Sequence, residues 1–505
     1  KPEKPEGEPG LLEKVLIRPL LLLRTARFNY TERFSTVVPG FTPQAGLMGM
    51  QDGFAGPGWD FVLGLQPQVQ NNFGTSNNWL DRNRDWISKS VYLNQQVVQD
   101  YTQTIQGQVT LEPFRDFRID VDANKNYQET HTQYFKVLKA GEGFQHAIPQ
   151  DAGSLTLSFF SANTLFQDSR SQIIGMFRDF EGNRVTISQR LGTGEHADSL
   201  LAREGYTQGY GRTQQDVLLP AFLAAYTGKD ARTVDLNVFN QIPLPNWRLT
   251  YNGLSRIPLF QEIFQNFSLT HSYKSTLTLN RFNTGLDYLR TINEPGGAVN
   301  ELNNNFYPRL EIPEIVIQEG FSPLLAVNTT LKNGMQFNFD YKKTRNLAMS
   351  FINNQLSETR VEEITFGFGY LLRNVNIGFL TGDKNKKGKG RSKPEQQTPQ
   401  QQQRPQSGGR PAGGGGGNLQ NRDLDIQFAF SLRDDVTFAH ILDQGVVEPT
   451  RGAYVLRFSP TAEYKMNRRL SLRLFFDYTR NVPKTSAGFP RTDSSGGLVL
   501  RFALN

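Results

Sequence analysis

Leu470-Ser-Leu-Arg-Leu-Phe-Phe-Asp-Tyr478 alternates apolar and polar residues, the period of two at which successive side chains leave a β-strand on opposite faces. Leu470, Leu472, Leu474, Phe476 and Tyr478 share one face; Ser471, Arg473 and Asp477 share the other, interrupted by Phe475. Just upstream, Tyr454, Leu456, Phe458, Ala462, Tyr464 and Met466 fall on one face, and Asn467-Arg468 between the two runs predicts a tight turn. The pair is a hairpin.

The same pattern recurs at Leu424, Ile426, Phe428, Phe430 and Leu432, at Ile364, Phe366, Phe368 and Tyr370, and at Met335, Phe337, Phe339 and Tyr341. The interleaved residues are polar, Gln336 and Asn338 in one run and Asp425 and Gln427 in another. Asn333-Gly334 supplies the pair that a two-residue turn with positive φ prefers. Leu498, Leu500, Phe502 and Leu504 form a last alternating strand that fits a C-terminal insertion signal. With shorter pieces near 322–331, 375–381 and 436–440, the periodicity predicts about nine strands from residue 322 onward.

Tight turns are predicted near 332–334, 372–374, 433–435 and 467–468, and longer loops near 352–360, 382–421, 441–452 and 481–494. Short turns on one side and long loops on the other is the rule of outer-membrane barrels, whose short turns are periplasmic. A last strand ending in the periplasm then makes 382–421 an extracellular loop. Its Lys-rich, Pro/Gln-rich and Gly-rich composition cannot bury a core and predicts disorder.

Upstream the pattern is weaker. Phe267, Leu269, His271 and Tyr273 alternate with polar residues, as do Phe117, Ile119, Val121 and Ala123; Trp59, Phe61, Leu63 and Leu65 predict a short strand, and Phe28 and Tyr30 another. The domain plan is a linker or processed start over 1–14, barrel strands over 15–125 with a Gly-rich irregular insertion at 34–58, and a large loop or lumen insertion over 126–245. Barrel strands fill 246–505. Within the insertion a helix is predicted near 213–227, with Thr213 as N-cap and Gly228 as stop.

The fold class is therefore all-β, an antiparallel transmembrane β-barrel section with long extracellular loops and small helical or irregular insertions. Mean hydropathy is low, at -0.49, and no run of apolar residues is long enough for a membrane helix. A membrane strand needs only every second residue apolar, so low hydropathy is compatible with a barrel. A soluble β-sandwich would show the same alternation. Predicted runs of about 10 to 17 residues exceed the five or six usual in soluble sheets, and with the loop asymmetry they favour the membrane.

Other chemistry has little footing. Five histidines are dispersed without metal-ligand spacing, no Gly-x-Ser-x-Gly elbow occurs, and cysteine is absent. The acidic pairs Glu362-Glu363 and Asp434-Asp435 fall at predicted strand ends or turns, where solvated charge is usual. Gly413–Gly417 lacks the Lys-Ser/Thr of a phosphate loop. No enzyme activity, cofactor or metal is expected. The net charge of +7 is spread along the chain, with a single cluster at Lys384–Lys393, which gives nucleic-acid binding no support.

Several stretches together carry a family resemblance: Leu432-Arg-Asp-Asp435, Tyr464-Lys-Met-Asn-Arg-Arg-Leu-Ser-Leu-Arg-Leu-Phe-Phe-Asp477, Gly488-Phe-Pro490, the closing Leu-Val-Leu-Arg-Phe502, Glu363-Ile-Thr-Phe-Gly-Phe-Gly-Tyr370 and Val38-Pro-Gly-Phe41. In these the chain resembles the C-terminal part of the Sov/SprA family, the giant outer-membrane translocon of the type 9 secretion system of Bacteroidota. The resemblance implies a very large single-chain barrel exporting folded cargo proteins, with a small partner barrel at a lateral opening and a periplasmic plug protein. It also implies a wall begun upstream in the same polypeptide, which fits the linker-like start and the missing signal peptide. Under it, Tyr454, Leu456, Phe458, Tyr464, Leu470, Leu472, Leu474, Phe476 and Tyr478 would face the lipid bilayer, with Phe337, Phe339, Tyr341, Phe366, Phe368, Phe428 and Phe430. Arg473, Asp477, Asp425, Gln427, Gln336 and Asn338 would wet the lumen. A self-contained porin or nutrient receptor, and a soluble β-rich surface adhesin, are the alternatives.

Overall fold

The computed structural model describes residues 22–503 apart from 52–55, 66, 68, 70–77, 168–169, 292–297, 376–421, 445–446, 467–468 and 487. The linker at 1–14, all but Val375 of the strand expected at 375–381, the loop at 382–421, the turn at 467–468 and Leu504 lie outside these residues. Antiparallel sheet dominates. Its strands in chain order are β1 (Leu23–Val37), β2 (Val97–Phe114), β3 (Phe117–Val137), β4 (Phe144–Ser158), β5 (Asn246–Tyr251), β6 (Phe264–Thr284), β7 (Leu310–Glu311), β8 (Glu314–Leu331), β9 (Met335–Ser350), β10 (Gln355–Leu372), β11 (Asp423–Ile441), β12 (Val447–Lys465), β13 (Leu470–Pro483) and β14 (Arg491–Phe502). All belong to one sheet, ordered β1-β2-β3-β4-β6-β8-β9-β10-β11-β12-β13-β14, with β5 and β7 off that path. Among the described residues β1 pairs only with β2 and β14 only with β13, so both outer edges are open.

Several expectations are corrected. Asp423–Ile441 is one continuous strand paired along its length with β10, so 433–435 is no turn: Asp434 and Asp435 leave opposite faces, and the charge pair that suggested a turn sits mid-strand. Residues 352–360 and 441–452 are mostly strand as well. Sheet structure continues through β3 and β4 to Ser158, well into the segment expected as an insertion, because polar Asn, Gln and Thr alternate there with less obvious apolar partners. Trp59–Val62 is a helical turn, α1, rather than a strand; four apolar positions between glycines do not distinguish the two. A second short helix, α2 (Trp79–Arg82), is capped by Asn78.

The parity of the connections changes too. Call lower the end of the sheet where residues 332–334 join β8 to β9. The link from Leu372 to Asp423 leaves and returns at that end, because Leu372 pairs with Leu424, and β14 also terminates there, Phe502 opposite Leu470. The segment 382–421 is thus attached on the side of the short turns, not opposite them.

One position in the wall is filled twice. β4 enters between β3 and β6 from the upper end and stops at Ser158, with Leu157 opposite Lys125 and Ser158 opposite Thr276. β5 takes over from Asn246, opposite Asp122, and runs on to the lower end. The intervening residues form a helical unit of α3 (Ala162–Leu165), α4 (Arg170–Leu191), α5 (Ser199–Glu204) and α6 (Gln215–Thr227). At the break, side-chain oxygens replace missing ladder carbonyls: Asn124 N donates to Ser158 Oγ at 3.0 Å and Ser275 N to Asn246 Oδ1 at 2.8 Å. Asn246 is buried, so Asn246→Ala is expected to cost about 1–3 kcal/mol by orphaning a buried amide. Faster amide exchange at Ser275 and a lower melting temperature would register it; unchanged exchange would refute it.

Helix α6 is apolar on every side and accordingly buried, from Val217 to Thr227 save Ala225. Its cap is Gln214, whose side chain accepts from Val217 N, rather than Thr213; Gly228 ends it in the left-handed conformation, φ 69°, as expected. Phe222, Tyr226 and Leu218 pack with Ile173, Phe177 and Phe180 of α4 and with Leu155, Leu277, Ile317, Leu347 and Leu356 of the wall. The helical unit therefore covers one face of the upper half of the sheet.

Candidate membrane and channel faces

Cross-strand register decides which side chains share a face. Phe337 opposes Phe368, which opposes Phe428, which opposes Pro460; Phe339 opposes Phe366, then Phe430, then Phe458 and Tyr478. Leu472 opposes both Tyr464 and Leu500, and Leu474 opposes Leu498. Tyr341, Tyr454, Leu456, Leu470, Phe476 and Phe502 fall on this same face by the period of two. Every residue expected to face lipid, together with Leu498, Leu500 and Phe502 of the closing strand, is thus on one face. Gln336, Asn338, Asp425, Gln427, Arg473 and Asp477 are all on the other.

The apolar face forms a band confined to the lower half of the sheet. It continues upstream through Leu325 and Val327 of β8, Leu269 of β6, Leu249 of β5, Ile119 of β3 and Phe28 of β1. From Leu424 to Leu432 it spans nine residues, about 27 Å along a strand, which would be about 20 Å along the axis of a barrel whose strands tilt near 40°. Aromatic contacts knit it together: Phe337–Phe368 at 5.1 Å and Phe428–Phe458 at 4.9 Å between ring centroids. Much of it is uncovered, with Phe28 75%, Leu498 63% and Phe502 60% exposed. The opposite face is polar through the same height, carrying Arg118, Asp120, Lys342, Asp340, Arg457, Glu463 and Arg501 as well.

Directly above the band the apolar face becomes a layer of charge. Glu319 and Arg345 are fully buried and paired, Arg345 Nε donating to Glu319 Oε1 at 2.6 Å. Ser161 Oγ also donates to Glu319, and Arg345 donates to Thr164 O of α3 at 2.9 Å, so the pair fastens the helical unit to the wall. Beside it Arg360 donates to Glu358 at 2.7 Å and to Gln167 O, Lys343 contacts Glu362 at 2.9 Å, and Lys343 lies 5.1 Å over the Phe166 ring. Arg184 of α4 reaches Asp443, at the upper end of β11, at 2.7 Å. In α6, burial raises the Tyr226 hydroxyl well above the usual tyrosine range.

The acidic pairs lie inside strands, not at strand ends or turns. Glu362 and Asp434 oppose each other directly across β10 and β11, a like-charge pair, with Lys343 and Lys484 on their flanks. Periodicity carried this layer unnoticed: in β9 the odd positions read Phe337, Phe339, Tyr341, Lys343, Arg345, Leu347, Met349, aromatic, then charged, then aliphatic. The segment expected as a large loop or lumen insertion packs, in its helical part, on the face that bears the aromatic band.

No family model matches this chain, and no curated protein matches it.

Proposed function

We propose that the chain is a section of an outer-membrane β-barrel wall, its aromatic face against lipid and its polar face lining an aqueous channel. The observation that carries this is the continuous apolar band on one face of the lower half-sheet, with polar side chains at the same height behind it. A patch of that extent is far larger than soluble proteins expose, and an estimated height of about 20 Å approaches the roughly 25 Å band of membrane barrels. The helical unit then sits on the outer wall above the bilayer, and not in the lumen. Among the described residues β1 and β14 do not pair with each other, which favours a share of a wider barrel over a self-contained porin, whose first strand would pair with its last. On the resemblance to the Sov/SprA family, the channel passes folded secreted proteins, with a partner barrel and a periplasmic plug, as a type 9 secretion translocon. The soluble adhesin is disfavoured by the exposed aromatic band.

Two experiments test this. Depletion of the protein is expected to trap folded secretory cargo in the periplasm; unchanged secretion would refute the translocon assignment. In planar bilayers, Arg473→Glu is expected to shift the reversal potential toward cation selectivity, since it replaces a lumen cation by an anion. An identical reversal potential in open channels would remove Arg473 from the lumen.

A further inference from the structure

Between the overhanging helical unit and the wall lies a cleft of about 610 Å³. Leu165 and Ile173 of the unit form its roof, and Lys343, Arg360, Glu362 and Asp434 of the wall form its back. It lies on the aromatic face, in the row immediately above Tyr341, Ile364 and Leu432, so an object in it stands on the upper border of the band.

We propose that this cleft seats the head group of a membrane lipid bearing both a phosphate and a protonated amine. The proposal rests on the barrel assignment, which makes the band the acyl layer and the row above it the head-group layer. Charge chemistry selects the head group. The lining is mixed: Lys343, Arg360 and Lys484 are matched by Glu362, Asp434 and the nearby Glu358. A purely anionic head would meet both carboxylates at close quarters. Glu362 and Asp434 directly oppose each other, and both are partly exposed, their side chains 42% and 45% accessible. Each carboxylate already pairs with one lysine, so an ammonium between them takes over the charge that the phosphate, a few ångströms away, draws from Lys343 and Lys484. The apolar roof and the aromatic band below accept the glycerol and acyl portions.

The test uses the protein purified from its native membrane in detergent and titrated, in native mass spectrometry, with phosphatidylethanolamine, phosphatidylcholine and phosphatidylglycerol. Phosphatidylethanolamine is expected to be retained about tenfold more tightly than either, because its ammonium, unlike that of phosphatidylcholine, donates N–H bonds to carboxylates, and its head group, unlike that of phosphatidylglycerol, carries both signs. The double variant Glu362→Gln, Asp434→Asn is expected to erase that preference. Lys484→Gln, on a connecting segment, is expected to weaken retention of all three. Equal retention of the three lipids, or a preference surviving the double variant in protein that still resists heat and detergent, would overturn the lipid site while leaving the barrel intact. Competition by soluble glycerophosphoethanolamine at the same concentration would assign the cleft to a soluble ligand instead. Failure of the protein to float with liposomes would overturn the barrel itself, and the lipid site with it.

Discussion

Arg345→Met is expected to destabilise the seat of the helical unit by about 3–5 kcal/mol, the usual cost of stripping the partner from a buried charge. Both side chains of the pair are fully inaccessible. Removing Arg345 leaves the Glu319 carboxylate with Ser161 and Tyr273 hydroxyls for company, and takes two hydrogen bonds from Thr164. The damage should be local: limited proteolysis and hydrogen exchange are expected to open 159–245 while β12 to β14 keep their protection. Glu319→Leu added to Arg345→Met is expected to restore most of the loss, because two apolar residues of similar volume no longer bury an uncompensated charge. If the single variant melts like the parent, the pair does not hold the unit.

Phe430→Arg and Ser431→Arg are adjacent in sequence and opposite in consequence. Phe430 lies in the row of Phe339, Phe366, Phe458 and Tyr478, inside the apolar band and one row above its centre; Ser431 opposes Thr365 and Arg457 on the polar face. An arginine at the hydrocarbon midplane of a barrel costs about 2–4 kcal/mol, whereas a lumen position has water to solvate it. Phe430→Arg is therefore expected to reduce the folded, heat-resistant fraction in outer membranes severalfold, and Ser431→Arg to leave it unchanged. Folding in lipid vesicles checks both. Equal tolerance of the two variants would remove the aromatic face from the bilayer and return the chain to the soluble class.

Period-two alternation made the faces of β9 to β14 legible, because lipid or core on one side and water on the other imposes that period directly. It fixed parity for Phe337, Phe428 and Leu472 without any tertiary knowledge. Strand ends were far less legible. Arg433-Asp434-Asp435 read as a turn because charge normally marks the end of a strand; here Asp434 is held mid-strand by Lys484 and by its place in the charged row. The link at 373–422 falls on the other end from the one expected for the same reason, since the false turn at 433–435 inverts the parity of the connection just before it. β3 and β4 were hidden because their upper halves alternate polar residues with Tyr127, which packs on Phe239 and Phe282, and with buried His131, which meets Asp151. Those contacts join residues far apart in the chain and have no local signature.

The interrupted strand has a consequence for how such a wall can change. Ser158 and Asn246 are neighbours along one rail of the sheet, yet the 87 residues numbered 159 to 245 separate them in the chain. A domain whose entry and exit coincide can be lengthened, exchanged or lost without shifting the register of any other strand. The splice lies at the level where the aromatic band gives way to the charged layer, so that whatever is grafted there is held just above the band by a sheet whose own construction need not alter.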